Sequence, residues 1–410
     1  MLKPVVRFLH SADLHLDSPL KGLSNLPKAI YDDLSRSTIN AFHKMVDVAI
    51  NEKVDFVLIV GDLFDQESSS IKSSLELKKG LERLNSNFIK AYISFGNHDY
   101  MMQQKAKLNF PENTFVFPSN GVTNTTYEKD GRVLAEISGF SYQQRAVIEN
   151  MVEQYQKTTE APYHIATLHG SLKTNQEHDT YAPFLLEDLK SVNADYWALG
   201  HIHKREILHQ QPLVVYSGNI QGRHMKESGE KGCYLVELNG QEPHMSFHQL
   251  HDVLFSEEEV AIENVKSPED IVNKLEQFKG TLRKEKHKTI VRLTVHLSGS
   301  DDLSIGPDFV DEVLEIVNET EEEENTWIWI NEMRLMKHQQ YDREELKESN
   351  PFINEILKTI DQTEELDAYI DELQLHPLFK KYTNIEMNDL KDEIKQEAED
   401  IILRNLMKEG

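Results

Sequence analysis

Five short runs of apolar and β-branched residues constrain this chain more than any other feature: Val5 to Leu9, Phe56 to Val60, Ala91 to Phe95, His164 to Leu168 and Tyr196 to Leu199. Each is almost continuously apolar, which predicts strands covered on both faces. Between the first two, Ile30, Leu34, Ile39, Phe42, Val46 and Ile50 fall at helical intervals, and a second helix is predicted from Ile71 to Leu84. Strand and helix alternate, so the fold class is α/β. Later runs at Leu213 to Tyr216, Cys233 to Glu237 and Met245 to Gln249 have alternating or hairpin character, and residues 1–250 read as one domain.

Beyond residue 250 the pattern changes. A helix is predicted to open at Ser267-Pro268-Glu269-Asp270, with Ser as the cap and Pro in the first turn. An alternating strand from Ile290 to Leu297, a helix from Phe309 to Val317, the acidic run Glu321 to Glu324 and a strand around Trp327 to Ile330 form a small α+β unit over 251–337. From 338 to 410 the pattern is helical, with apolar stripes at Ile353, Ile356, Leu357 and Ile360, at Leu366, Ile370 and Leu373, and at Leu390, Ile394, Ile401 and Ile402. Such stripes serve either packing within their own domain or docking on a partner.

Charge separates the same regions. The 410 residues carry 44 Lys plus Arg against 70 Asp plus Glu, a net charge of −26. Residues 1–250 hold 25 basic and 30 acidic side chains, whereas residues 251–410 hold 19 and 40. Affinity for a phosphate backbone normally comes from clustered Lys and Arg, so a polyanion would need metal ions or a partner to bind here. The single cysteine, Cys233, excludes an intramolecular disulfide framework and any Cys-based zinc module, and reads as a small buried hydrophobe in a reducing cytoplasm. No window approaches the roughly 18 apolar residues of a membrane span, and Met1 to His10 lacks a signal-peptide pattern, so a soluble cytoplasmic protein is expected.

The chemistry-bearing residues sit where the predicted strands end. In order they are Asp13-Leu14-His15, Gly61-Asp62-Leu63-Phe64-Asp65, Gly96-Asn97-His98-Asp99, His169-Gly170 and Gly200-His201-Ile202-His203. Sites in open α/β sheets assemble at the carboxyl ends of strands. Carboxylate, imidazole and amide donors without thiolate suit manganese, iron, zinc or similar ions. Asp-x-His and His-x-His spacings allow one metal or two, and one carboxylate such as Asp62 can bridge a pair about 3.5–4 Å apart, which stabilises both the attacking and leaving oxygens of a phosphoester.

This ordered set resembles the calcineurin-like metallophosphoesterase superfamily, with its D-x-H, G-D-x-x-D, G-N-H-[DE], H and G-H-x-H blocks, over residues 7 to 203. The flanking His10-Ser11-Ala12-Asp13-Leu14-His15-Leu16 and the downstream unit look most like the DNA-repair exonuclease branch, which includes SbcD, Mre-type nucleases and a shorter YhaO-like form. The resemblance implies a two-sheet metallophosphoesterase sandwich flanked by helices, followed by a small α+β capping domain and a C-terminal helical region. It implies two divalent metal ions, with manganese the expected one. Asp13, His15, Asp62 and His203 would hold one ion; Asp62, Asn97, His169 and His201 would hold the other. His98 would take the family's catalytic position, oriented by Asp65, and Asp99 would cap a following helix. The resemblance also implies a DNA substrate, a coiled-coil ATPase partner of the SbcC type, and a homodimer as a possible assembly.

Several residues stay open between two readings. His10 fits support of the site or plain core packing. Tyr216-Ser217-Gly218-Asn219 fits a substrate-side loop or an ordinary turn, and Arg223, His224 and Lys226 fit phosphate contacts or a solvated loop. Asp17, His178 and His209 have suitable chemistry but no motif to place them. Three functions compete: a metal-dependent DNA nuclease, a phosphodiesterase or phosphatase for a small nucleotide or phosphoprotein, and a non-catalytic binding subunit of an ATPase complex. No Gly-x4-Gly-Lys-[Ser/Thr] loop occurs, so an ATP-driven step would reside in another chain.

Overall fold

The computed structural model describes residues 3–362 except 17, 19–22, 24–25, 66–69, 101–108, 174–180, 299–305, 307 and 339–342, and beyond 362 only 398–399, 402–403 and 406. Two six-stranded sheets carry the first part of the chain. One contains β1 (Val6–Ala12), β2 (Phe56–Val60), β3 (Lys90–Ser94), β4 (Thr114–Val116), β11 (Gly232–Leu238) and β12 (His244–Gln249), in the order β12-β11-β1-β2-β3-β4. The other contains β5 (Thr123–Lys129), β6 (Arg132–Gly139), β7 (Tyr163–His169), β8 (Tyr196–Gly200), β9 (Glu206–Gln210) and β10 (Leu213–Tyr216), in the order β5-β6-β7-β8-β10-β9. In each sheet four adjacent strands run parallel, β1-β2-β3-β4 and β6-β7-β8-β10, so their carboxyl ends point the same way.

The apolar runs work as read. Phe8, Phe56, Leu58 and Val60 meet Ile137, Ile165, Ala198 and Val215 in a core between the sheets. The alternate residues Leu9, Val57, Ile59 and Ile93 face Phe42, Met45, Val46, Leu77 and Leu81 of helices α1 (Lys28–Asn51) and α2 (Ile71–Ser86). The outer face of the second sheet buries Leu168, Trp197, Leu199 and Val214 under Tyr155, Phe184 and Leu189, the last on the short helix α3 (Leu186–Ser191). Cys233 is free and fully buried, as read from composition, and burial pushes its thiol up to about 12. His10 is also buried, with Nδ1 2.8 Å from the Tyr196 hydroxyl and Nε2 3.1 Å from the Leu199 carbonyl, so it ties the two sheets together as a packed, satisfied group.

Leu213 to Tyr216 forms a hairpin as read, pairing antiparallel with β9, and on its other side it runs parallel to β8 in the second sheet; β11 and β12 are likewise antiparallel neighbours. No described helix is long and apolar enough to cross a membrane.

The chain divides into two compact units. The first comprises Met1–Glu257, Glu285–Ile290 and Thr320–Trp329; the second comprises Glu258–Lys284, Val291–Glu319 and Ile330–Gly410. The first unit takes back two later segments because Ile290 and Trp327 bury with Ile30, Leu34, Val253 and Phe255, and Asp33 accepts from both Lys288 Nζ (2.7 Å) and Trp327 Nε1 (3.0 Å). Glu321, within the acidic run, is buried there and accepts from Ile328 N at 2.6 Å.

Strands β13 (Val253–Glu263), β14 (Lys288–Ser298) and β15 (Ile328–His338) form a third sheet, and helices α4 (Pro268–Leu282) and α5 (Phe309–Asn318) belong to the second unit. The predicted helix start is present, and Asp270 closes it by accepting from Ser267 N (3.0 Å) and Lys266 N (2.9 Å), while Asp270 N donates to the Ser267 carbonyl (3.1 Å). Buried Lys279 reaches the Val317 carbonyl, joining α4 to α5, and Asn318 brackets Ile330 with two hydrogen bonds of 2.9 and 3.1 Å. Helices α6 (Arg343–Ser349) and α7 (Pro351–Gln362) share a small cluster of Leu346, Ile353, Leu357 and Leu403. The apolar stripes assigned to Leu366, Ile370, Leu373, Leu390, Ile394 and Ile401 lie outside the described residues, as do Asp17 and His178.

Candidate metal centre

All five motifs lie at carboxyl ends of parallel strands. Asp13 and His15 follow β1, Asp62 follows β2, Asn97 follows β3, His169 ends β7, and His201 and His203 follow β8, so four donors come from one sheet and three from the other. The loops are stitched before any ligand is considered: Asp13 N donates to Gly61 O (3.2 Å), His15 N to Asp62 O (2.9 Å), and His201 N to both oxygens of Asp13 (3.2 and 3.0 Å).

The backbone there is unusual. Asp13, His15, Asp62 and His201 adopt positive φ of 52°, 45°, 49° and 95°. Asp and His tolerate the left-handed region better than most residues, yet each such residue costs about 1–3 kcal/mol and persists only where its surroundings impose it. Two glycines make room. A Cβ on Gly61 would stand 2.0 Å from His169 Nδ1, and one on Gly96 would stand 2.2 Å from Asp62 Oδ1.

The donors converge in overlapping groups. Ligand atoms of Asp13, His15 and His203 lie within 4.8 Å of one another, as do those of Asp13, Asp62 and His169, and those of His15, Asp65 and His98. Asp62 Oδ2 is 3.8 Å from His15 Nε2 and 3.4 Å from His169 Nε2, placing one carboxylate between the two groups. Asn97 Oδ1 is 2.9 Å from His169 Nε2, and the His201 ring centroid is 5.3 Å from that of His169. Asp13, His15, Asp62 and His169 are at most 1 % exposed.

The charges are balanced by one another. Burial opposes ionisation of Asp62, yet His169 and His15 hold its carboxyl well below the usual range. Burial also works against a charged His169, but Asp62 and Asp13 raise it to about 9. Burial drives His15 down to about 3, assisted by the Arg223 guanidinium.

A description of the calcineurin-like phosphoesterase family matches residues 6–205. The metallophosphoesterase YhaO of Bacillus subtilis is 38% identical over 97% of this chain and 97% of its own length. The chain is a calcineurin-like metallophosphoesterase. Two archaeal relatives, both named DNA double-strand break repair protein Mre11, are more distant. The one from Methanocaldococcus jannaschii is 28% identical over 66% of this chain and 74% of its own length. The one from Sulfolobus acidocaldarius is 26% identical over 59% and 63%.

Metallophosphoesterases use divalent metal ions, and the donor set here fits them. His169 Nδ1 faces the Val60 carbonyl at 3.2 Å, which leaves Nε2 aimed at two oxygen acceptors, Asn97 Oδ1 and Asp62 Oδ2. His15 Nε2 and His203 Nε2 likewise point at each other across 3.1 Å. Carboxylate, amide and imidazole atoms converge there on one buried space, and a divalent cation could take the place of the proton that the two carboxylates hold on His169; hard oxygen with borderline nitrogen donors suits such an ion.

Around this metallophosphoesterase pocket several roles differ from expectation. The hydrogen bond that orients His98 comes from the main chain of Asp65: His98 Nδ1 lies 2.9 Å from Asp65 O, whereas the carboxylate is 3.8 Å away. That carboxylate instead takes Arg223 Nη1 at 2.6 Å and lies 3.1 Å from His15 Nδ1. Burial opposes its charge, but His15 and Arg223 hold it at about 2. Asp99 accepts from Gly96 N and Leu63 N, both at 2.7 Å, and so pins the Asn97 loop to the Asp62 loop; the helix it was expected to cap falls on residues outside those described.

Arg223 is enclosed by Ser18, Asp65, Glu227 and His203 rather than offered to a phosphate. Ser217 and Asn219 are buried at 1 %, so their stretch is an internal brace. Glu227 was not singled out by sequence. Its only signal is its place four residues after Arg223, in a segment that forms a 3-10 turn, Met225–Glu227. His209 bonds locally to Pro212 O at 2.9 Å, outside the pocket.

Proposed function

We propose that the chain is a metal-dependent DNA nuclease, an exonuclease of DNA repair that hydrolyses phosphodiester bonds with two divalent ions, manganese first among them. The observation that carries this reading is the convergence of buried donors from both sheets beside one half-exposed histidine, His98. The names of the archaeal relatives support DNA as the substrate class.

Asp13, His15, Asp62 and His203 would hold one ion and Asp62, Asn97, His169 and His201 the other. Bound divalent ions supply Lewis acidity, drawing charge from phosphoryl oxygens and making water easier to deprotonate. The rest falls to side chains. His98 Nδ1 faces a carbonyl that can only accept, so Nδ1 carries hydrogen; in the imidazolium form Nε2–H would donate to a phosphate oxygen or pass its proton to the departing nucleoside oxygen. Asp62 fixes the same residue from the other side by accepting from His98 N at 3.0 Å.

The net charge of −26 favours a second reading, a phosphodiesterase or phosphatase acting on a small nucleotide or phosphoprotein. Most of that excess lies after residue 250, so the proposal retains DNA but expects weak intrinsic affinity. A coiled-coil ATPase of the SbcC type, docked on residues 338–410, would supply the missing basic surface in the cytoplasm; a homodimer is the other assembly proposed.

An activity panel with manganese tests the proposal on linear duplex, single-stranded DNA and a small chromogenic phosphodiester. Chelator-sensitive cleavage of DNA is expected. Turnover of the small ester alone would select the second reading. Deletion of residues 340–410 should abolish pull-down of the ATPase, and retained binding would remove it as the docking segment.

A further inference from the structure

Of the proposed imidazole ligands, His203 has 25 % of its side chain open to solvent against 1 % for His15 and His169, and its ring is held by residues of other segments. Its direction is set from outside. Nδ1 lies 2.6 Å from Glu227 Oε1, and Nε2 faces His15 Nε2 at 3.1 Å. Glu227 is only 7% exposed and its carboxylate is crowded with donors. Oε2 accepts from Arg223 N (2.8 Å) and Asn219 Nδ2 (3.1 Å), and Oε1 accepts from Arg223 Nη2 (3.2 Å), with His224 Nε2 3.6 Å away. Arg223 cannot drift, because its Nη1 is held by Asp65 Oδ1 at 2.6 Å. Arg223 Nη2 also lies 3.2 Å from that Nδ1 but has Glu227 Oε1 at the same distance to donate to, whereas the 2.6 Å contact from Nδ1 to a carboxylate that only accepts needs a proton on Nδ1; the lone pair of a neutral His203 is then on Nε2.

We infer that Glu227, braced by Arg223, is a positioning residue that selects the tautomer of His203 and turns its Nε2 toward a divalent cation shared with Asp13 and His15. The inference rests on the metal-centre reading of the preceding section and adds to it a residue outside the donor set. Carboxylates that orient a coordinating histidine typically change metal affinity by about 10–100-fold when lost.

The test uses the full chain and Mn2+ alone, followed by calorimetry and by the manganese EPR signal, with far-UV circular dichroism in EDTA as the check on folding. Wild type, Glu227→Gln, His203→Ala and the double variant form a cycle. Glu227→Gln is expected to weaken one Mn2+ site by about 10–100-fold, and to change affinity by less than about twofold once His203 is already Ala, because the effect passes through that ring. Wild-type affinity in Glu227→Gln, or an equal loss with and without His203, would overturn the inference and leave Glu227 as a loop anchor.

A measurement on the unmutated protein guards against misfolding: imidazole 15N shifts of metal-free wild type should show His203 protonated at Nδ1, and the opposite tautomer would overturn the inference directly. Should wild type bind no Mn2+ that His203→Ala loses, the metal-centre reading itself fails, and this inference with it.

Discussion

Gly96→Ala isolates the packing beneath the site. Gly96 does not sit in the left-handed region, so the backbone accepts alanine, and such a change in open space would stabilise by about 0.4–1 kcal/mol through the unfolded chain. Here the new methyl would stand 2.2 Å from Asp62 Oδ1, 2.8 Å from His169 Nε2 and 2.9 Å from Asp62 N. Normal contact begins near about 3.5 Å, so Asp62 must retreat by more than about 1 Å. The retreat is obstructed, because Asp62 Oδ1 accepts from His98 N at 3.0 Å and its loop is pinned by Asp99. Overpacking of this kind costs about 1–3 kcal/mol, and a 1 Å displacement of a reacting group costs on the order of 100-fold in rate. Thermal melting in EDTA, metal content by mass spectrometry and turnover of a chromogenic phosphodiester with manganese measure the three consequences. A variant that melts above wild type, keeps its metal and retains full turnover would refute the close packing of Gly96 against Asp62.

Three further outcomes are expected. His98→Ala should reduce turnover by about 10²–10⁴-fold while metal content is preserved, and Asp62→Ala should lose both; metal-free His98→Ala would undo that division of labour. His10, driven by burial from 6.5 to about 3 against the pull of the Leu199 carbonyl, is neutral in the fold where the unfolded chain takes a proton. Stability therefore falls as pH drops from 6.5 toward 3, by about 1.4 kcal/mol per pH unit from this group. Urea titrations of His10→Gln in EDTA between pH 6 and 4 should give a shallower slope than wild type, and parallel slopes would contradict it. Phe42→Ala empties a fully buried position against Gly80 and should cost about 3–5 kcal/mol, seen as a lower urea midpoint with unchanged m value; a loss under about 1 kcal/mol would show that the site collapses.

Strands were legible where burial on both faces left a continuous apolar run, as in Phe56 to Val60, and the site was legible because its residues follow those runs in short blocks. What escaped did so for physical reasons. Strand β5, with sequence Thr-Asn-Thr-Thr-Tyr-Glu-Lys, buries only Tyr127 among its residues and carries no periodic signal. Strand β13 passes through Glu257-Glu258-Glu259, which looks like a solvated acidic stretch until its Val253, Phe255 and Ile262 are seen to be buried. Glu321, inside its acidic run, is likewise buried. Within the site, the candidate ligand types stood out in short blocks, but their supports did not. Glu227 and Arg223 pair across a turn whose geometry no spacing rule encodes, and Asp65 acts on His98 through a carbonyl that every residue possesses.

That the donors are shared between two sheets gives a bound cation mechanical meaning as well as chemical meaning. It would act as a rivet through the sandwich, and a ligand at a thousand times its dissociation constant adds about 4 kcal/mol to the state it holds. By reciprocity, whatever pries the layers apart loosens the ion by the same factor. A flaw far from the pocket, for instance in the stacked Phe8 and Phe56 rings, would then be felt first as easier stripping by chelators.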